Sequence, residues 1–292
     1  MKSGVLLVNK PAGFTSFDVI AKLRGILHER RLGHTGTLDP MATGVLPVLV
    51  GTATKASDIL PENEKSYTAG FALGKATDTL DITGTVTETS GKRASREDVE
   101  AALEGFRGTI SQLPPMYSAV SVGGKRLYDL ARQGIEVQRT PRTVEIHSIT
   151  LEDFDEEAGE GTLSISCSKG TYIRSIVDDL GKLLGTFAVM TSLVRTSSQG
   201  FKLADCMTID EIQASADIEA RIIPADSLFE CYPALSLSDK QAAMYKNGVR
   251  LDPKRVKGAD SAGIYRVYGG EFLGLCRVED SEMIIYKNFW KN

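Results

Sequence analysis

In this 292-residue chain the segment richest in chemical possibility is GHTGTLDPMATG, which carries His34 and Asp39. Gly33, Gly36 and Gly44 admit backbone conformations closed to other residues, and Pro40 drives Asp39 out of the α region into an extended conformation. A carboxylate held on such a loop, beside an apolar strand, can act as nucleophile or base at the mouth of a pocket. The same pattern also suits a plain Asx turn before proline. His34 could serve as a general base or as a polar wedge, or simply as a loop hydrogen-bonder. With three histidines in the chain and no second ligand nearby, metal binding is not expected. In SKGTYIRSIVDD, residues Lys169, Gly170 and Thr171 precede a helix whose free N–H groups could receive a phosphate. Arg174 lies in the first turn of that helix and could equally pair with Asp178 four residues on, a contact worth about 0.3–0.5 kcal/mol. Spacing alone slightly favours that local pair. Tyr67, in KSYTAGF, reads as a sheet aromatic at least as readily as a functional one.

Several chemistries lack support. No P-loop, HExxH helix, GxSxG elbow or dinucleotide fingerprint occurs, which leaves nucleotide hydrolysis, zinc proteolysis, α/β-hydrolase and Rossmann chemistry without their motifs. Cys167, Cys206, Cys231 and Cys276 form no CxxC pair, arguing against structural zinc and a disulfide framework. A composition of 42% hydrophobic and 25% charged residues is that of a soluble globular protein. The opening run MKSGVLLVNKPAG reads as a strand, with no leader or membrane span, and the expected setting is reducing and cytoplasmic.

The elements that must position these residues follow from periodicity and capping. GVLLV is a first strand, and SFDVIAKLRGILHERR is a helix with Ser16 placed to cap it. The segment 33–51 is an irregular loop feeding a buried strand, and a short helix is expected around 54–59. SYTAGFALG alternates as a strand and ends in the polar stretch KATDTLDITG. A helix at 95–106 opens with the capping box Ser95 and Asp98. Residues 107–150, with Pro114-Pro115, Gly123-Gly124 and the short helix KRLYDLARQG, read as an excursion from the core sheet. The acidic run 152–160 is expected as a solvated loop between the strands HSITL and TLSISC. Ile173, Ile176, Val177, Leu180 and Leu183 share one face of the helix that begins near Arg174. A strand near MTSLVRTSSQGF and a helix capped by Thr208 and Glu211 follow. The texture then changes to short strands with close turn signals, as in a small β-barrel. The expected division is 1–228 and 229–292.

Five runs, GVLLVNKPAGFTSFDV, GHTGTLDPMATGVLPVLVGTATK, KSYTAGFALGKATDTLD, PPMYSAVSVGGKRLYDLARQGIEV and CSKGTYIRSIVDDLG, stand in an order that closely resembles the TruB family of tRNA pseudouridine synthases. The resemblance covers most of residues 4–195. It implies an α+β pseudouridine synthase fold, with a mixed, mostly antiparallel sheet flanked by helices and a small C-terminal β-barrel-like (PUA-like) domain. It further implies a cofactor-independent isomerase, without metal, that flips uridine 55 out of the tRNA T loop and rejoins the base through C5. On that resemblance Asp39 is the nucleophile, Arg174 its counter-ion in place of a pair with Asp178, and Tyr67 stacks on the target base. His34 fills the space the base vacates, Leu193 and Tyr172 belong to the substrate pocket, and Lys10 has a structural role near the active-site loops. Met116, Tyr117, Lys125, Arg126, Tyr128 and Arg132 belong to an RNA-gripping excursion, where interleaved aromatic and basic residues suit stacking and phosphate contact. The implied partner is the T-arm stem-loop of tRNA, with no membrane and no obligatory protein partner, and the chain acting as a monomer. A rival reading is a non-catalytic RNA-binding or tRNA-folding factor. A carboxylate glycosidase would need a second acid about 5–9 Å from Asp39, which the local motif does not supply.

The net charge of −4 argues, as a bulk figure, against a nucleic-acid partner. It averages unlike segments. Residues 150–160 carry six acids and no Lys or Arg, whereas windows 22–55 and 120–144 each carry five basic against two acidic residues. A basic binding face is therefore compatible with the acidic total.

Overall fold

The computed structural model describes residues 2–61 and 64–290. Its first strand, Gly4–Lys10 (β1), leads into helix Ser16–Leu27 (α1), whose cap is Thr15 rather than Ser16: Thr15 and Asp18 form the capping box. The helix stops at Leu27 because His28 takes the left-handed conformation, so the polar tail HERR lies outside it. Strands Leu32–His34 (β2) and Thr43–Val50 (β3) flank the Asp39 loop. The helix expected around 54–59 is a 3-10 turn at Gly51–Ala56.

Strand Lys65–Leu73 (β4) is followed by the small hairpin Lys75–Thr77 (β5) and Val86–Thr89 (β6), then by helix Arg96–Leu103 (α2) with the expected Ser95–Asp98 capping box. The excursion is narrower than breaker content suggests. Gly108–Gln112 (β7) and Arg142–Asp155 (β10) are edge strands of the main sheet, leaving 113–141 outside it with the hairpin Ser121–Val122 (β8) and Lys125–Arg126 (β9) and the short helix Leu127–Ala131 (α3). The acidic run is also more ordered than expected. Strand β10 continues to Asp155 and pairs with Glu160–Cys167 (β11), because Phe154 turns inward and stacks on Phe71 while the acids cover the outer face.

Helix Ile173–Leu184 (α4) buries Ile173, Ile176, Val177 and Leu180 against strand Ala188–Ser198 (β12). Each such side chain contributes about 1.5–3 kcal/mol relative to exposure. Leu183, expected on this face, points to solvent, and Leu184 takes the inward place. The remaining elements are Phe201–Lys202 (β13), helix Ile209–Ala214 (α5) with its Thr208–Glu211 box, Ile223–Pro224 (β14), Ala234–Ser236 (β15), helix Asp239–Lys246 (α6), and the strands Gly263–Tyr268 (β16), Phe272–Val278 (β17) and Met283–Asn288 (β18).

The main sheet runs β14-β1-β3-β12-β4-β11-β10-β7, with β2 and β13 off this path. Only the β3–β12 pair within it is parallel, so the sheet is mixed and mostly antiparallel. The C-terminal strands make a separate sheet in the order β15-β16-β17-β18, an open path rather than a closed barrel. Leu275 and Phe289 of that region share an apolar cluster with Val5, Leu49 and Phe229, which seats it on the main sheet.

The β3–β12 contact is where the Asp39 loop joins the core. Gly44 has φ +104° and pairs with Arg195, and a Cβ there would fall 2.3 Å from the Arg195 carbonyl oxygen. We predict that Gly44→Ala destabilises the protein by about 3 kcal/mol or more, through backbone strain added to a main-chain clash. Urea denaturation measures it, and a cost below about 1 kcal/mol, ordinary for a point mutation, would contradict this account of the loop junction.

Candidate active site

Asp39 stands at the surface end of its loop with about a third of its side chain exposed. The loop is tied down from three sides. Ser16, in the first turn of α1, accepts a hydrogen bond from the Leu38 N–H at 2.9 Å. Lys10, at the end of β1 and wholly buried, donates to the carbonyls of Pro11, Phe14 and Pro40 at 2.8, 2.6 and 3.2 Å. Burial pushes its ammonium down to about 8 despite the nearby Asp39 charge. Arg195, also wholly buried, donates from Nε to Val45 O at 2.7 Å, from Nη2 to Gly36 O at 3.1 Å and from Nη1 to Thr37 O at 3.5 Å. Tyr67 is its directly opposite neighbour across β12 and β4, close enough for the phenol and guanidinium to interact.

The partner of Asp39 is Arg174. Nε donates to Oδ2 at 2.9 Å and Nη2 to Oδ1 at 3.0 Å, a two-pronged pair that a planar guanidinium is shaped to make. The same side chain donates to the carbonyls of Thr79 and Tyr117, both at 2.9 Å, and lies 3.5 Å from the Asp81 carboxylate. The local alternative is closed off, because Asp178 accepts from Lys182 at 2.6 Å. Burial pushes the Asp39 carboxyl above its ordinary range. The Arg174 charge and hydrogen bond oppose that rise, and the neighbouring Asp81 charge adds to it.

Tyr67 is buried beside this pair, and its phenol is held above its usual range chiefly by burial. Leu193 packs in the same apolar cluster as Leu38 and Tyr67. His34 ends β2, its Nδ1 buried without a hydrogen-bond partner, and burial lowers its pKa. Tyr172 caps α4 and is clamped by Gln112: its N–H donates to Oε1 at 2.7 Å, and its carbonyl accepts from Nε2 at 2.9 Å.

Of the excursion residues, only Tyr117 reaches Arg174, through its carbonyl. Met116 is half-buried next to it. Lys125 lies on the exposed hairpin, while Arg126 and Arg132 flank the Tyr128 ring with their guanidinium carbons 5.9 and 5.6 Å from its centroid.

Four residues at or beside this centre escape a reading of motifs: Arg195, Asp81, Gln112 and Lys65. Arg195 had a signal, since it falls on the inward face of its strand together with Leu193. Asp81 sits in the polar stretch after β4, where its Oδ1 accepts from Thr79 Oγ1 and from Thr83 N–H and Oγ1.

The arrangement is a carboxylate fixed by a buried guanidinium, with an aromatic ring and an apolar residue beside it. The fold is shared with a chain from the crystal structure of a Cbf5–Nop10–Gar1 complex, at a TM-score of 0.74 and 23% identity, covering 98% of this chain and 85% of that one. A model of the TruB family pseudouridylate synthase N-terminal domain matches residues 24–173, and a model of the tRNA pseudouridylate synthase B C-terminal domain matches 174–230. The protein named tRNA pseudouridine synthase B of Clostridium kluyveri is 40% identical over 289 residues, spanning 98% of this chain and 99% of its own. Its namesake in Bacillus thuringiensis strain Al Hakam is 45% identical over 258 residues, with coverage of 85% and 84%. The chain belongs to the TruB family of pseudouridylate synthases.

Arg195 holds the loop through the carbonyls of Gly36 and Thr37 and, at the loop's junction with β3, that of Val45. Arg195→Met is expected to cost about 3 kcal/mol or more, since each buried polar group left unpaired costs ~1–3 kcal/mol. Arg195→Lys should recover only part of this, because a compact ammonium cannot span the fork. Equal stability of wild type and Arg195→Met in urea denaturation would remove the loop-holding role.

Proposed function

We propose that this chain isomerises uridine 55 in the T loop of tRNA to pseudouridine, with Asp39 as nucleophile. The observation that carries the reading is the two-pronged Asp39–Arg174 pair, set beside Tyr67 and Leu193. Arg174 holds the carboxylate in one orientation and has no proton to lose, so it balances the charge without quenching the nucleophile. Attack at the ribose C1′ or at C6 of the base lets the uracil detach, turn and rejoin through C5. Tyr67 supports the base by stacking, and Leu193 supplies an apolar wall. His34 occupies the gap that a flipped uridine leaves in the RNA. Tyr172, clamped by Gln112, sets the start of α4 and with it Arg174.

The excursion, with Tyr128 between Arg126 and Arg132 and with Lys125 and Met116 nearby, suits a folded RNA loop through stacking and phosphate contact. The C-terminal sheet is read as a PUA-like RNA-binding unit covering 229–292, beside a catalytic unit of 1–228. The chain is taken to act as a monomer in the cytoplasm. Among the described residues no helix is long and apolar enough to cross a membrane.

Asp39→Asn is expected to abolish tritium release from C5-labelled uridine in tRNA while leaving tRNA binding within about threefold, because the amide keeps the side chain's size and an oxygen that still accepts from Arg174. Near-normal turnover would sink the assignment. A tRNA-folding factor, by contrast, would keep its whole effect on tRNA folding in that variant.

The nucleophile must be ionised, so activity falls as pH drops through the Asp39 pKa, which burial places above the ordinary ~3.9. Asp81 is a negative neighbour that raises it further. Asp81→Asn should therefore move the acidic limb of the single-turnover pH–rate profile to lower pH, even as the plateau rate falls through weaker support of Arg174. A limb that moves to higher pH would contradict this arrangement of charges.

A further inference from the structure

Beside the Asp39–Arg174 pair lies a second group of positive charges for which the described residues supply no ion-pair partner; the nearby Glu64 carboxylate accepts from Ser166. Lys65 opens β4, two residues before Tyr67, and lies opposite Cys167 of β11. Its ammonium packs on Gly36: a Cβ on that glycine would lie 2.9 Å from Lys65 Nζ and 3.5 Å from Arg195 Nη1. Lys169, two residues beyond Cys167, is exposed and adds its charge to the same locality. Among the described residues, none of Lys65, Lys169 and Arg195 makes an ion pair. The adjoining Cys167 thiol is pushed up to about 11 by burial, so it supplies no negative charge at neutral pH. Asp39, the nearest functional carboxylate on the same loop, is engaged by Arg174.

Grouping cations in a partly buried place is unfavourable, and Lys65 registers the cost. Burial first, then the charges of Arg195 and Lys169, lower its ammonium to about 8. His34, on the same loop, feels the Arg195 and Lys65 charges and carries the orphaned Nδ1. Arg195 points each of its three nitrogens at a backbone carbonyl, so it contributes chiefly field. Lys65 and Lys169 retain N–H groups to donate.

We propose that Lys65 and Lys169, backed by the buried Arg195 charge over Gly36, form a preformed subsite for one backbone phosphodiester of the RNA, flanking the uridine that meets Asp39. The subsite rests on the reading of the chain as an enzyme acting on a tRNA uridine. It gives a purpose to the SKGT segment ahead of α4, whose lysine the Asp39–Arg174 chemistry leaves unused. It also places a sequence-independent grip within the same loop system as the nucleophile, so that seating the phosphate and seating the base become one event.

The test uses the full chain and a T-arm stem-loop RNA, with a neutral methylphosphonate placed in turn at each of the two phosphates flanking the target uridine. One of the two neutral linkages should weaken wild-type binding by about ten- to a hundredfold, the size of a charge-assisted hydrogen bond. Lys65→Met should weaken binding of unmodified RNA to a like degree and lower the salt slope of log K by about 0.7–0.9, one phosphate contact. Lys65→Met with the sensitive linkage should be no worse than either change alone, and Lys65→Arg should restore affinity. The subsite is overturned if neither linkage matters, if the salt slope is unchanged, or if the two changes multiply. The methylphosphonate arm on wild type needs no variant to fold. Pseudouridine formation by wild type on unmodified RNA is read alongside: product together with multiplying effects removes only the subsite, whereas no product removes the functional reading on which it stands.

Discussion

Everything at the centre of this molecule depends on where one guanidinium sits. Arg174 is almost wholly buried, and its donors are shared among Asp39, the carbonyls of Thr79 and Tyr117, and the neighbouring Asp81. A buried cation tolerates that position only if its donors are met and its charge is balanced. Three segments distant in the chain must therefore converge on the first turn of α4, which carries it: the Asp39 loop, the turn between β5 and β6, and the start of the excursion. The apolar face of α4, locked onto β12, and the Gln112 clamp on Tyr172 are what hold the arginine still.

The loop that carries Asp39 is fixed by the same physics, applied to its main chain. Its carbonyls face Lys10 on one side and Arg195 on the other, and the Leu38 N–H is met by Ser16. An irregular loop cannot satisfy its own backbone as a helix or sheet does, so buried side-chain donors take that part. Arg195 joins two duties, because it holds the loop and touches Tyr67 across the sheet. Loop position and ring position are thereby coupled.

The residues of the candidate site were legible in the sequence to unequal degrees. Asp39 could be singled out because glycines and Pro40 shape its loop, yet its partner could not be read from spacing. For Arg174 the i, i+4 neighbour Asp178 was the local candidate, whereas its partner Asp39 lies far along the chain and Lys182 takes Asp178. Asp81 was hidden for the opposite reason: a polar turn rich in Thr and Asp looks like solvent-facing connection. Boundaries moved where a single residue decides them, as at His28, which ends α1 by its left-handed backbone, and at Phe154, whose inward ring extends β10 through an acidic run. Alternation of small strands signalled a β-rich C-terminal region, but whether such strands close is set by long-range pairing, and here they form an open sheet.

The acidic total charge averages segments of unlike sign, and so says little about partners. What matters is the local field: Arg126, Tyr128 and Arg132 clustered on the excursion, and cations gathered near the Asp39 loop. The central claim is that this arrangement rebuilds one uridine in a folded RNA loop. Its most direct test is to map pseudouridine, nucleotide by nucleotide, in unmodified tRNA incubated with the purified protein. The account predicts a single new pseudouridine, in the T loop. No pseudouridine, or pseudouridine only outside that loop, would contradict it.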